Sequence, residues 1–343
     1  VEKHVELNRI GLALTDYKGK PSTLCPGCGH NAISNQIQAA VWELGIAPEK
    51  VMKISGIGCS SKSANYFLDR SFGFNGLHGR MPTLATGACF GDPSIKILGI
   101  SGDGDTASIG MGHFKHVIRR NVPMVYIIEN NGCYGLTKGQ FSATSDQGLR
   151  LKHQGVNILP PLDLCMEALI SGAPFVARTF SGDVKQMKQL IKAALSQNGV
   201  AVIDVISPCV TFNNRDEALQ SYSWGREHEA PIQDIAHFRS REEIQLENFA
   251  EGSYREVQLQ DGSYLVLKKI DKDYDPTDLH AALDLLTESY KYHYFATGLI
   301  YFSGVPPTIQ EKYDLPEEPL NRLTKDRLRP SRESLEAINA TLY

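Results

Sequence analysis

"LGISGDGDTASIG", Leu98 to Gly110, decides how this chain is read. An apolar strand pattern stops abruptly in Gly-Asp-Gly-Asp, and a helical pattern follows. A strand that ends in glycines and feeds a helix lets its backbone approach a bound group, with helix N–H groups facing an anion. Phosphate loops ordinarily carry a Lys or Arg, but this turn carries Asp103 and Asp105. The next apolar run, "VPMVYIIEN" (Val122 to Asn130), leads into "ENNGCYG", and Asn131 lies 28 residues beyond Asp103. A helix of about 14 residues rises about 21 Å, and a returning strand covers a similar length. A right-handed crossover therefore brings Asp103 and Asn131 to the carboxyl edge of neighbouring strands. Oxygen ligands without cationic side chains suit Mg²⁺, which then holds a phosphate. The pattern points to a metal diphosphate, with the metal supplying the positive charge. The competing reading is a surface turn followed by an unrelated Asn-Asn loop, because short motifs recur by chance.

The rest of the chain supplies the frame. "HNAISNQIQAAVWELG" (His30 to Gly45) has a helical apolar period, and "VMKIS" (Val51 to Ser55) reads as a strand. After the central pair come a helix in "DLCMEALIS", a strand in "PFVARTF", a helix in "DVKQMKQLIKAALSQ" and a strand in "AVIDVIS". Such alternation predicts an α/β fold, a doubly wound parallel sheet covered on both faces. After Pro208 the texture changes. Residues 213–250 are polar and irregular, "REVQLQDGSYLVLKK" resembles a hairpin around Asp261-Gly262, and "PTDLHAALDLLTESY" is helical. Residues 1–209 are expected to carry the site, and residues 210–343 to form a C-terminal extension that caps the site or meets a partner.

Bulk properties exclude several classes. The 343 residues suffice for a real core, and an apolar content of 42% is ordinary. A net charge of −4 without a long basic run leaves no footprint for nucleic acid. No apolar stretch reaches membrane-spanning length, and "VEKHVELNRI" does not read as a signal peptide. Seven cysteines, an odd number, favour a reducing, cytoplasmic setting with thiols used as ligands.

"LCPGCGH" holds Cys25 and Cys28 as C-x-x-C. A zinc ribbon needs a second such pair, and a haem site needs the His directly after the second Cys. A thioredoxin-like redox pair would follow a strand, and "GKPSTL" is a poor one. An iron–sulfur cluster needs four thiolates. Cys59, in "SGIGCSSK", and Cys209, in "ISPCV", each follow a predicted strand on the edge that carries Asp103. Cys89 and Cys165 read as packing, and Cys133 as a source of a carbonyl more than of a sulfur.

The spacing from "GDG" to "NN" resembles the thiamin diphosphate fingerprint. With the cysteines, "CPGCGH", "GIGCSSK", "LHGR…ATG", "GDGD", "NNGCYGLTKGQFSATS" and "RPSRESLEAIN" resemble, in order, segments of the β subunit of the 2-oxoacid:ferredoxin oxidoreductases. The resemblance covers nearly the whole chain. It implies one [4Fe–4S] cluster on Cys25, Cys28, Cys59 and Cys209. It implies Mg²⁺ on Asp103, the Asn131 amide oxygen and the Cys133 backbone carbonyl. Ile57, Gly58, Cys59, Ser60, His78, Gly102, Gly104, Asp105, Asn130, Gly135, Leu136 and Thr137 are then expected around thiamin diphosphate. Two stretches depart from the family. "DTASIGMGHF" replaces the usual apolar-Gly-Gly-Asn-His run, and "FSATS" lacks the commoner Ser-Pro-Thr.

The implied activity is oxidative decarboxylation of a 2-oxoacid with coenzyme A, electrons leaving through the cluster to ferredoxin. No Rossmann G-x-G-x-x-G offers a nicotinamide route. An α partner would supply the Glu that activates the aminopyrimidine, in an αβ or (αβ)₂ assembly, so the chain alone should be inactive. His78 is a candidate catalytic residue, against a capping or core role. Lys62 matches a substrate-pocket position, shared with Leu136, and suits the distal carboxylate of 2-oxoglutarate. Broad or pyruvate-type specificity is the alternative. A non-oxidative decarboxylase would leave four cluster cysteines purposeless, and a non-catalytic electron-transfer subunit would leave Asp103 and Asn131 so.

Overall fold

The computed structural model describes residues 5–342 except 153, 217, 240–253, 259–263, 270–273 and 305, and describes only the backbone of 234–239, 254–258 and 264–269. Eight strands form the main sheet: β1 (Val51–Ser55), β2 (Phe72–Asn75), β3 (Lys96–Gly102), β4 (Met124–Asn130), β5 (Phe175–Phe180), β6 (Val200–Ile206), β7 (Glu229–Pro231) and β8 (Phe295–Phe302). Their spatial order is β7-β8-β5-β6-β4-β3-β1-β2. From β5 to β2 every pair is parallel. The strand pattern of "FATGLIYF" escaped the sequence reading. It enters as β8, antiparallel to β5, so the sheet is mixed although mostly parallel.

The helices up to residue 292 are α1 (Gly29–Glu43), α2 (Cys59–Ser63), α3 (Met81–Gly91), α4 (Met111–Arg119), α5 (Leu164–Ile170), α6 (Val184–Leu195), α7 (Tyr222–His228) and α8 (Leu279–Tyr292). They cover both faces of the sheet, which explains why β4 and β6 are buried along their whole length. Alternate residues of β4 serve the two layers. Val125 and Ile127 pack with Ile33, Ile37 and Val41 of α1 and Leu190 and Ile191 of α6. Met124, Tyr126 and Ile128 pack with Phe114 of α4, Leu164 of α5 and Leu286 of α8. Cys89 and Cys165 belong to that second layer.

Strands Gln233–Arg239, Tyr254–Gln258 and Tyr264–Lys269 form a separate antiparallel sheet. The expected turn at Asp261-Gly262 lies outside the described residues, although the strands on either side of it are paired. Among the described residues, no helix is long and apolar enough to cross a membrane. What matters for function is the carboxyl edge of β1, β3, β4 and β6, where four loops meet.

Candidate functional site

The Gly-Asp-Gly-Asp turn leaves β3 and enters a π-helical turn over Gly104–Ile109, a distortion common at functional sites. Glycine at 104 is a matter of approach. A Cβ there would stand 2.5 Å from Tyr134 Cζ, and the Tyr134 hydroxyl donates to the Gly104 carbonyl at 3.0 Å. Asp103 is 1% exposed. Its Oδ2 accepts bonds from Ser142 Oγ and, at 2.8 Å, from Thr144 Oγ1. Its Oδ1 accepts a long 3.3 Å bond from the Asn131 N–H. Burial pushes the Asp103 carboxyl up, and these donors pull against that shift. The Asn131 amide nitrogen lies 3.4 Å from His30 Nε2, and its oxygen accepts from the Cys133 N–H at 3.1 Å. The side-chain orientation thus keeps the amide oxygen on the Cys133 side.

Asp105 is held just as firmly. It accepts from His78 Nδ1, from the Gly79 N–H at 2.7 Å, from Ser101 Oγ at 2.7 Å and from the Ile57 N–H at 3.3 Å. His78 therefore points Nδ1 at a carboxylate and keeps Nε2 for another partner. Its ring meets Tyr134 edge-on, with centroids 5.8 Å apart.

These groups line one pocket, made by residues 57–60, 102–105 and 133–137 together with His30, His78, Glu129 and Asn131. Of the residues expected around the cofactor, Ile57, Gly58, Cys59, Ser60, His78, Gly102, Gly104, Asp105, Gly135, Leu136 and Thr137 lie there, with Asp103 and Asn131 among them. Asn130 does not. Its amide turns away to Asp204 Oδ1 at 3.0 Å and lines a different cavity of about 360 Å³ with Arg178 and Asp146. Lys62 is exposed, one turn along α2 from Cys59, and is not a lining residue. Gly58 has φ 134°, a region that favours glycine, and this bend starts α2 at Cys59.

Of the four thiols expected at the cluster, Cys59 and Cys209 stand together beside this pocket. A Cβ on Gly135 would lie 3.4 Å from Cys209 Sγ and 3.6 Å from Cys59 Sγ. Cys28 feels the charges of Cys59 and Cys209, and Cys59 those of Cys209 and Cys25. Thr211 Oγ1 donates to Cys25 Sγ at 3.4 Å. Burial pushes the Cys28 thiol up to about 12 and the Cys59 thiol to about 11. Cys209 is drawn down to about 6 by Cys133 and by the backbone N–H groups of residues 211–213. All seven cysteines are free. Among the described residues, no three His, Cys, Asp or Glu side chains converge as one ion requires. A cluster asks for something different, because each thiolate meets its own iron and the sulfurs stand apart. Asp103, Asn131 and Cys133 line the same pocket.

Two functional-looking residues escaped the sequence reading. Glu129 is fully buried, accepts from Ser63 Oγ at 2.9 Å and leaves Oε2 without a partner. His30 Nδ1 lies 3.5 Å from that oxygen and 2.7 Å from Ser207 Oγ. Burial pushes Glu129 well above the usual carboxylate range and His30 down to about 4, each shift favouring the neutral form. Ser60 Oγ is likewise buried without a partner. Two unpartnered polar atoms on a pocket wall fit a polar guest. The one sequence signal was the acid that interrupts the apolar run of "VPMVYIIEN".

Comparison with known proteins agrees with this geometry. The family described as "Thiamine pyrophosphate enzyme, C-terminal TPP binding domain" matches residues 56–205. The chain is 37% identical over 196 residues to "2-oxoglutarate synthase subunit KorB" of Methanocaldococcus jannaschii, covering 57% of this chain and 72% of that one. It belongs to the 2-oxoacid:ferredoxin oxidoreductase β-subunit family. The "2-oxoacid:ferredoxin oxidoreductase subunit beta" of Saccharolobus solfataricus is 44% identical over 191 residues, 55% of this chain. That match spans 63% of the relative's length, under two thirds. A solved 2-oxoglutarate:ferredoxin oxidoreductase from Magnetococcus marinus, with 2-oxoglutarate, coenzyme A and succinyl-CoA bound, superposes with a TM-score of 0.75 at 31% identity. That superposition covers 95% of this chain and 96% of the other. The chain thus carries a thiamin diphosphate-type α/β domain.

Proposed function

We propose that this β subunit works with an α partner to decarboxylate a 2-oxoacid oxidatively, with coenzyme A as acyl acceptor and ferredoxin as electron acceptor. One observation carries the reading: the Cys59 and Cys209 sulfurs stand within 3.6 Å of a Cβ position on Gly135, in the loop that also lines the Asp103–Asn131 pocket. A metal–diphosphate site and a thiol cluster so close together suit electron transfer, for which a non-oxidative enzyme has no use. Thiamin diphosphate supplies an electron sink and a [4Fe–4S] cluster accepts electrons singly. Asp103 and Asn131, with the Cys133 carbonyl, would hold Mg²⁺. Cys25, Cys28, Cys59 and Cys209 would hold the cluster. Asp105 keeps the His78 ring fixed, so Nε2 can donate or accept a proton at the reacting end of the pocket. The exposed apolar rim, with Ile57 at 41% and Leu136 at 43%, suits cover by the partner chain.

Among substrates we favour 2-oxoglutarate. Lys62 is the cation proposed for its distal carboxylate, and several relatives are named for 2-oxoglutarate. A broader 2-oxoacid range is the second reading, favoured by the name of the Saccharolobus relative. We assign the extension at 210–343 to capping the site or meeting the partner, in a cytoplasmic complex.

The test is anaerobic purification with iron and thiamin assays and an absorption spectrum. Four irons per chain and bound thiamin diphosphate are expected. Cys59→Ala should lose most of the iron, whereas Cys165→Ala should keep it. Full iron in the Cys59 variant refutes the cluster assignment.

A further inference from the structure

Ser108 sits in the π-helical turn directly after Asp103, and it meets the loop that carries Ser142 and Thr144: the Ala143 N–H donates to Ser108 Oγ at 3.0 Å. The residues flanking Ala143 both reach the same carboxylate oxygen. Ser142 Oγ and Thr144 Oγ1 bond to Asp103 Oδ2. The Thr144 hydroxyl also lies 3.0 Å from Asn130 Oδ1, but it has one proton, and the carboxylate is the nearer, charged acceptor. All of these groups except Ser108 and Ala143 are buried. The segment is strapped in turn: the Ser142 N–H donates to Ser145 Oγ at 2.8 Å, and Asn157 Nδ2 donates to the Ser145 carbonyl at 2.9 Å.

A carboxylate oxygen has about two lone pairs in its plane. On Oδ2 both face hydroxyl donors. Oδ1 carries the long 3.3 Å contact with the Asn131 N–H, and the Asp103 backbone N–H also bonds to the carboxylate. The two hydroxyls fix the carboxylate in rotation through Oδ2 and leave Oδ1 the more weakly held oxygen. We propose that Ser142 and Thr144 are positioning residues that clamp Asp103 through Oδ2 so that Oδ1 ligates the divalent cation, and that the Ser108–Ala143 hydrogen bond holds the clamp in place. This rests on the metal–diphosphate reading above. Groups that orient a ligating carboxylate typically change metal affinity 10- to 100-fold when removed. The cation matters as well. Mg²⁺ demands near-ideal octahedral geometry at about 2.0–2.1 Å, whereas Ca²⁺ tolerates looser sets of ligands. A rocking Asp103 therefore costs Mg²⁺ more than Ca²⁺.

The experiment is calorimetric titration of Mg²⁺ and of Ca²⁺ into the assembled complex with thiamin diphosphate in excess, with iron content and Tm followed alongside. In Thr144→Val the Mg²⁺ Kd should rise about 10- to 100-fold and the Ca²⁺ Kd less. Thr144→Ser should restore the Mg²⁺ value. Ser142→Ala should follow Thr144→Val, and Ser108→Ala should move the same way by a smaller factor. A wild-type complex that binds no Mg²⁺, or an Asp103→Ala complex that binds it normally, sinks the metal reading itself. Wild-type binding with Mg²⁺ affinity in Thr144→Val and Ser142→Ala within twofold of it overturns the clamp. Equal loss for both cations, or no rescue by serine, also overturns it by reducing the hydroxyls to a structural role. Should Thr144→Val fail to fold, Ser142→Ala and Ser108→Ala decide by the same criteria.

Discussion

Replacing Gly104 by alanine tests the pocket geometry at its narrowest point. The new methyl carbon would stand 2.5, 2.6 and 2.9 Å from three ring carbons of Tyr134, where carbon contacts sit near 3.5–4.0 Å. The ring must move by about 1 Å. That shift strains the 3.0 Å hydrogen bond from the Tyr134 hydroxyl to the Gly104 carbonyl and the edge contact with His78. Overpacking of this kind costs about 1–3 kcal/mol, so thermal unfolding should begin about 2–6 °C lower. The same methyl lies on the pocket wall beside Asp103, so thiamin diphosphate binding should fall by more than the stability loss explains. Tyr134→Ala in the same chain separates the two effects. Removing the ring relieves the clash and should recover much of the Tm, while the methyl still obstructs the cofactor and binding should stay weak. Calorimetric Tm and cofactor titration on both variants give the answer. If Gly104→Ala binds thiamin diphosphate as the wild type does, the close backbone approach inferred for this turn is wrong.

Two other outcomes follow from the site. His30 is pushed down to about 4 from an ordinary value of 6.5, so the unfolded chain takes up a proton there that the folded chain refuses. Its contribution is fully present above pH 6.5 and is lost as pH falls towards 4, to a limit of about 3 kcal/mol. Unfolding of the wild type and His30→Gln compared from pH 7 to 4.5 should show the shallower slope in the variant, and parallel slopes would refute the assignment. Lys62→Met should lower kcat/KM for 2-oxoglutarate about 10- to 150-fold while sparing pyruvate, since a charge-assisted pair is worth about 1.5–3 kcal/mol. Equal losses on both substrates would leave Lys62 without a role in specificity.

The sequence by itself determined the sheet's central strands and the loops that carry chemistry. Buried parallel strands must be continuously apolar, and close-approach turns must be glycine-rich, so "SIKILGIS", "VPMVYIIEN" and the Gly-Asp-Gly-Asp turn are legible without coordinates. Crossover handedness then brings Asp103 near Asn131, and resemblance to the family pointed to the residues that line the pocket. Tertiary structure decided what periodicity does not encode. The strand Phe295–Phe302 joins the sheet 115 residues after its neighbour Phe175–Phe180 ends, a pairing set by long-range packing that leaves no local mark. The His30–Glu129 contact joins residues 99 positions apart, and both groups are shifted towards their neutral forms by burial, which a sequence does not state. Asn130 and Asn131 look equivalent in the chain, yet the pleat sends adjacent side chains to opposite sides. One amide goes to Asp204 and the other to the pocket. The contact between Ser108 and Ala143 is of the same kind: two residues that look unrelated in the chain meet because folding puts one loop against the other.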